Sequence, residues 1–133
     1  MCLVTNQKKA KITIEDINVF KILFPNTRES YCTSFEYIKD VLYSASFGIR
    51  KINDLNTAEF WDDQANQYYR KKKYKTIFVI SEGLHSFLTE KRADRKNGYS
   101  YFGEKVFPAT IPKGAEYYVD GTGLIVSNKL IIH

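Results

Sequence analysis

The last third of the chain leaves the least freedom. Val106 to Ile111, Glu116 to Val119, Leu124 to Val126 and Lys129 to Ile132 are four short runs rich in β-branched and aromatic residues. They are separated by Pro112-Lys113-Gly114, Asp120-Gly121-Thr122-Gly123 and Ser127-Asn128. Proline presets the first φ of a turn and Asp-Gly supplies positive φ for a tight hairpin. Runs this short between such turns are strands, and the expectation is an antiparallel β-meander at the C-terminal end.

Upstream, the β-branched segment from Ile17 to Leu23 predicts a strand over 17–23, with Lys21 in its middle suggesting one wet face. Period-two alternation of Phe35, Tyr37, Val41 and Tyr43 predicts a strand over 36–44. Asn56 with Glu59 three residues on resembles a capping box. The stripe Trp61, Ala65, Tyr68 and Lys72, acidic at one end and basic at the other, predicts a helix after it. Lys75 to Ile80 follows as a strand, then Phe87 to Arg95 as a short charged helix stopped by Lys96-Asn97-Gly98. The fold class expected is α+β, mainly antiparallel sheet with one or two short helices, in a single domain over 1–133 whose residues 1–11 form a loosely ordered arm.

Composition narrows the function classes. An apolar fraction of 44% supplies a core and 26% charged residues is ordinary for a globular chain. The formal charge of +5 is too small to imply a polyanionic partner. Cys2 and Cys32 are too few for a disulfide framework, and the longest clearly apolar run, Ile77 to Ile80, is far below the ~20 residues of a membrane helix. These features predict a soluble cytoplasmic protein with no membrane partner. Ten tyrosines and nine phenylalanines are the unusual feature, and they suit half-buried surfaces.

Several stretches also resemble a group of small uncharacterised single-domain proteins from gut bacteria and their phages. These are Met1 to Thr5, Val19 to Leu23, Thr33-Ser34-Phe35 to Tyr43, Glu82 to Phe87, Ile111 to Tyr118 and Val126 to Lys129. Against that pattern, Leu84 stands where Phe is frequent, and 53–73 has the look of an insertion. The resemblance implies a compact domain encoded in phage-derived or mobile DNA, and it carries no activity.

Candidate sites follow from residue chemistry. His85, with Glu82 and Ser86 beside it, is the one candidate for acid–base work, placed at a strand-to-helix turn. The plainer reading is a histidine that pins the turn by bonding a backbone carbonyl. Cys2 would become a terminal nucleophile if Met1 were removed, whereas Cys32 suits a core position. Tyr68, Tyr69, Arg70, Lys71, Lys72, Lys73 and Tyr74 interleave cations with rings, the combination that binds single-stranded nucleic acid. A basic helix end accounts for the same residues. No metal-ligand spacing occurs and no cofactor is implied; Asp120 to Gly123 lacks the helix start of a phosphate loop. The function expected is a non-catalytic binding or accessory module with a Tyr-rich surface contacting another protein. The alternatives are a small enzyme or nucleotide-binding protein centred on His85, and nucleic-acid binding through 68–75.

Overall fold

The computed structural model describes residues 3–30, 35–53, 59–62, 67–70, 76–97 and 103–133, with the backbone course alone at 52–53, 59–62, 67–70, 76–77 and 95–97. The strands are β1 Leu3–Thr5, β2 Lys11–Ile12, β3 Ile17–Leu23, β4 Leu42–Ser44, β5 Gly48–Asn53, β6 Glu59–Asp62, β7 Gln67–Arg70, β8 Thr76–Glu82 and β9 Leu84–Phe87. Helix α1, Glu90–Asn97, is followed by β10 Lys105–Ile111, β11 Glu116–Val119, β12 Leu124–Ser127 and β13 Lys129–Ile132. All strand pairs are antiparallel, in an eight-stranded sheet of order β2-β11-β12-β9-β3-β10-β13-β4, a three-stranded sheet β1-β8-β5 and the hairpin β6-β7. Among the described residues the fold is thus mainly antiparallel sheet with one short helix.

Connection lengths show that the large sheet is rolled up. Strands β12 and β13 stand four places apart in hydrogen-bonding order, which on a flat sheet is roughly 19 Å at about 4.8 Å per place. Only Asn128 joins them, and two Cα–Cα links reach at most ~7.6 Å. Strands β10 and β11 are also four places apart, and their link is a tight turn closed by Ala115 N–H donating to the Pro112 carbonyl at 3.1 Å. The sheet therefore curls into a barrel-like wall, with β12 and β13 as one bent strand that turns its corner. Asn128 pins the corner: its N–H donates to Glu116 O at 3.0 Å, its Oδ1 accepts from Glu116 N–H at 2.9 Å, and its carbonyl accepts from Ala45 N–H at 2.9 Å. The expected meander is corrected accordingly. Of its successive strands only β11 and β12 pair with each other, while β10 and β13 pair directly.

Alternation along the strands gives the wall two apolar faces. Val19, Leu23, Leu84, Ala109, Ile111, Ile125, Leu130 and Ile132 form one buried cluster, with Tyr37 packed into it. Ile22, Phe87, Leu124 and Val126 point the other way and pack with Leu3 and Ile80 of the three-stranded sheet and Ala93 of α1. Full burial of a Leu or Ile such as Leu23 or Ile111 stabilises by about 1.5–3 kcal/mol relative to exposure.

Three expectations are corrected. The helix over 56–73 is instead the hairpin β6–β7, whose register sets Phe60 opposite Tyr69 and Trp61 opposite Tyr68. Aromatic residues directly across strands favour a sheet, and that preference outweighs the charge arrangement that suited a helix; the capping Asn56 lies outside the described residues. The strand over 36–44 shrinks to Leu42–Ser44, because the chain folds back at Tyr37, whose N–H bonds Arg28 O at 2.9 Å, and turns at Asp40 with φ 60°. Leu3–Thr5, expected in a loose arm, is a buried strand on β8. Helix α1 comes close to its expected place, with Thr89 Oγ1 accepting from Arg92 N–H at 3.1 Å as an N-cap.

Candidate functional site

β8 and β9 are nearly one strand, broken at Gly83. β8 belongs to the three-stranded sheet and β9 to the barrel wall, and the switch happens at φ 137°. A Cβ there would stand 2.4 Å from Val126 Cγ1, so only glycine allows this approach. His85 consequently sits inside a strand, and α1 begins only at Glu90. The expected strand-to-helix turn at His85 is thereby corrected.

The barrel wall has a seam beside it. β3 pairs with β10 along its whole length, yet with β9 only at Phe20–Phe87. Past that contact Leu23 bridges to Ser30 instead, and Ser30 N–H donates to Phe35 O at 2.8 Å. The segment around Ser30 and Tyr37 thus wedges between β3 and the start of β9. Lys21 spans the gap, its Nζ donating to the His85 carbonyl at 2.6 Å and lying 5.1 Å from the Tyr37 ring centroid. Only 7% of Lys21 is exposed, so the wet face expected there is absent.

A cavity of about 440 Å³ opens at this seam. Lys21, Tyr37, Tyr43, Leu84 and His85 line it, with Phe35 at the mouth, half exposed. Phe35, Tyr37 and Tyr43 meet edge to face with centroids 4.9 to 5.6 Å apart. Burial, with Tyr43 adding to it, pushes the Tyr37 phenol up to about 12, so it stays a neutral hydroxyl.

The His85 imidazole is neutral as well. Burial is the main cause that lowers its pKa from 6.5 to about 4; the Lys21 charge adds to this, and the Gly83 and Ile80 carbonyls partly oppose it. Nδ1 lies 3.2 Å from Gly83 O, while the buried Nε2 makes no hydrogen bond among the described residues. A base this weak is poorly matched to proton transfer near neutral pH. Neither expected neighbour orients the ring. Glu82 is exposed at the pocket rim, and Ser86, on the opposite face of β9, is 1% exposed with an Oγ that bonds nothing among the described residues. Continuing the Phe20–Phe87 register sets Ser86 across from Lys21.

Other expected sites fare differently. Tyr68, Tyr69 and Arg70 lie in β7, which removes the helix end invoked for them, whereas Lys71, Lys72, Lys73 and Tyr74 lie outside the described residues, as do Cys2 and Cys32. In the Asp120–Gly123 turn, Asp120 Oδ1 accepts from Thr122 N–H at 2.8 Å and Leu124 N–H at 3.1 Å, so those amides face a carboxylate of their own loop. Among the described residues no group of three metal-ligating side chains occurs, and no helix is long and apolar enough to cross a membrane. The sequence reading missed Lys21, Tyr37 and Tyr43. The available signal was a single lysine inside the run Val19 to Leu23, where a charge has to be accounted for. Comparison with protein-family models, curated proteins and solved structures gives no significant match.

Proposed function

We propose that the chain is a non-catalytic binding module and that the seam pocket is its binding site. The observation that carries this reading is a cavity of about 440 Å³ lined by aromatic rings and by the buried Lys21. Concave, mostly apolar sites with a few placed polar groups are the usual form of a small-molecule site. The enzyme alternative centred on His85 has against it a neutral, weakly basic imidazole that neither Glu82 nor Ser86 orients.

The test is a ligand-observed NMR screen of small neutral, cationic and anionic fragments against the full chain and an Ala45→Trp variant, which puts a large side chain on a lining residue of the cavity. Fragments that bind the parent and are lost in a folded Ala45→Trp protein support the reading. An absence of binding fragments, or fragments unaffected by the substitution, would remove it.

A second reading, contact with another protein, draws on a different observation. Phe35, Ile38, Val41 and Leu42 are 50%, 60%, 39% and 50% exposed on one segment leading into β4. β4 ends the eight-stranded sheet, so its outer edge can accept an extended apolar segment of a partner. This surface is aliphatic and Phe-based, since the four tyrosines with described side chains, Tyr37, Tyr43, Tyr117 and Tyr118, are buried or half-buried. Peptides selected by display on the parent should lose binding to Ile38→Asp/Leu42→Asp, and retention would exclude the edge.

A further inference from the structure

We infer that Thr110 is a modification site that takes an acyl group from a small activated acyl donor, such as a thioester or aryl ester, with His133 drawing off the hydroxyl proton. The site is independent of the seam pocket, and it makes the chain an acceptor of the group.

Three segments bring the groups together. Side chains alternate along β10, so with Ala109 and Ile111 in the buried cluster Thr110 points outward. His133 follows β13, and its N–H donates to Pro108 O at 2.9 Å. Asp40 lies in the turn before β4, and its N–H donates to Ile132 O at 2.8 Å. His133 Nδ1 then lies 2.8 Å from Asp40 Oδ1, and His133 Nε2 lies 2.8 Å from Thr110 Oγ1. The two non-glycine residues with positive φ among the described residues, Arg28 at 56° and Asp40 at 60°, both stand here, and Arg28 Nη2 reaches Ile132 O at 3.4 Å. Strained backbone held in place by surrounding bonds marks a position whose geometry matters.

Charge sets where the protons sit. The His133 hydrogen bond, acting against desolvation, holds the Asp40 carboxyl below its usual range, and the His133, Lys39 and Arg28 charges add to it. An ionised carboxylate only accepts, so the neutral imidazole donates to it from Nδ1 and turns the Nε2 lone pair to Thr110. The threonine hydroxyl is thereby the donor to a base, which is the arrangement of an activated nucleophile, with Asp40 as the positioning residue. Asn18 stands directly across from Thr110 in the β3–β10 ladder, exposed and on the same face, where an amide N–H can steady the acyl oxygen.

Exposure decides the class of donor. The His133 and Asp40 side chains are 42% and 58% exposed, so water screens the pair. A general base contributes about 10²–10⁴-fold, short of the ~10⁶-fold or more that enzymes supply, so a good leaving group is required and an amide is out of reach. Phosphoryl transfer relies on cation clamps more than on a base, which favours an acyl donor. In the step, Thr110 Oγ1 bonds to the acyl carbon as its proton passes to His133 Nε2. The bond to the leaving group breaks, its electron pair departs with the thiol or phenol, and that group takes the proton from Nε2. Thr110 is left as an ester and His133 as a neutral ring.

The experiment treats the full chain at pH 7 with p-nitrophenyl acetate, and separately with acetyl phosphate, which can deliver either group. Peptic digestion at acidic pH, where esters survive, then locates the adducts by mass spectrometry. Acetyl is expected on Thr110 from both reagents. Thr110→Val should lose this adduct and Thr110→Ser should keep it. His133→Gln should slow acetylation at Thr110 about a hundredfold, and Asp40→Asn about tenfold or more. In the parent the rate should rise with pH through one titration that His133→Gln removes, a readout that a purely structural role for the cluster would not move. Should the His133 variant fail to fold, the location of the adduct in the parent chain decides the matter alone. Acetyl on lysines or the amino terminus with none on Thr110, or an equal rate in a folded His133→Gln protein, would overturn the inference. Phosphoryl on Thr110 in place of acetyl would overturn the acyl assignment. Each of these results leaves the seam-pocket reading untouched.

Discussion

His85 has the environment of a buried histidine with no carboxylate beside it among the described residues. Protonating it in the fold means burying a cation, and one near Lys21, so the proton is refused until well below the ordinary range. Its folded pKa of about 4 lies below the unfolded 6.5, so between those values the unfolded chain binds more protons. Stability is therefore full above pH 6.5, falls as pH drops toward 4, and levels off below it. The span corresponds to about 3 kcal/mol. His85→Gln should flatten this segment of the profile, which urea melts at pH 7.5 and 4.5 will show; an unchanged slope would mean that His85 is not buried neutral. Gly83 is the other position where one atom decides. Gly83→Ala places a methyl 2.4 Å from Val126 Cγ1 at a φ that L-residues avoid, and should cost about 2–4 kcal/mol by chemical denaturation.

At the scale of elements, what was legible in the sequence depended on whether one local signal acted alone. β3 was readable at its true limits because Ile17 to Leu23 is a β-branched run with no competing helical stripe. β11 and β13 were readable because glycine, proline and asparagine turns frame them. The segment 59–70 failed because two signals compete there, helix-compatible charge placement and aromatic pairing, and the pairing partners are set only once the hairpin forms. Carbon chemical shifts should be extended in sign at Glu59–Asp62 and Gln67–Arg70, and helical shifts across both would restore the helix. His85 was legible as a residue but not as an environment. Its partner Lys21 is 64 positions away, and no local pattern reports such a contact.

For the whole molecule, the consequence of closure is the seam. A wall that curls until β12 and β13 meet at Asn128 must reconcile strands of unequal length, and the mismatch falls between β3 and β9. There the ladder stops after one pair, a side-chain ammonium replaces the missing backbone donor, and aromatic residues from 35–43 line the opening. This is why the pocket lies beside the β3–β9 seam. It also explains how a lysine comes to be buried in the middle of a strand. The most direct measurement is the pattern of cross-strand nuclear Overhauser effects between β3 and β9 in the ligand-free, uniformly labelled chain. Contacts between the backbones of Phe20 and Phe87 but none between those of Ile22 and His85 are predicted. An unbroken ladder of contacts running from Phe20–Phe87 through Ile22–His85 would close the seam and contradict the account.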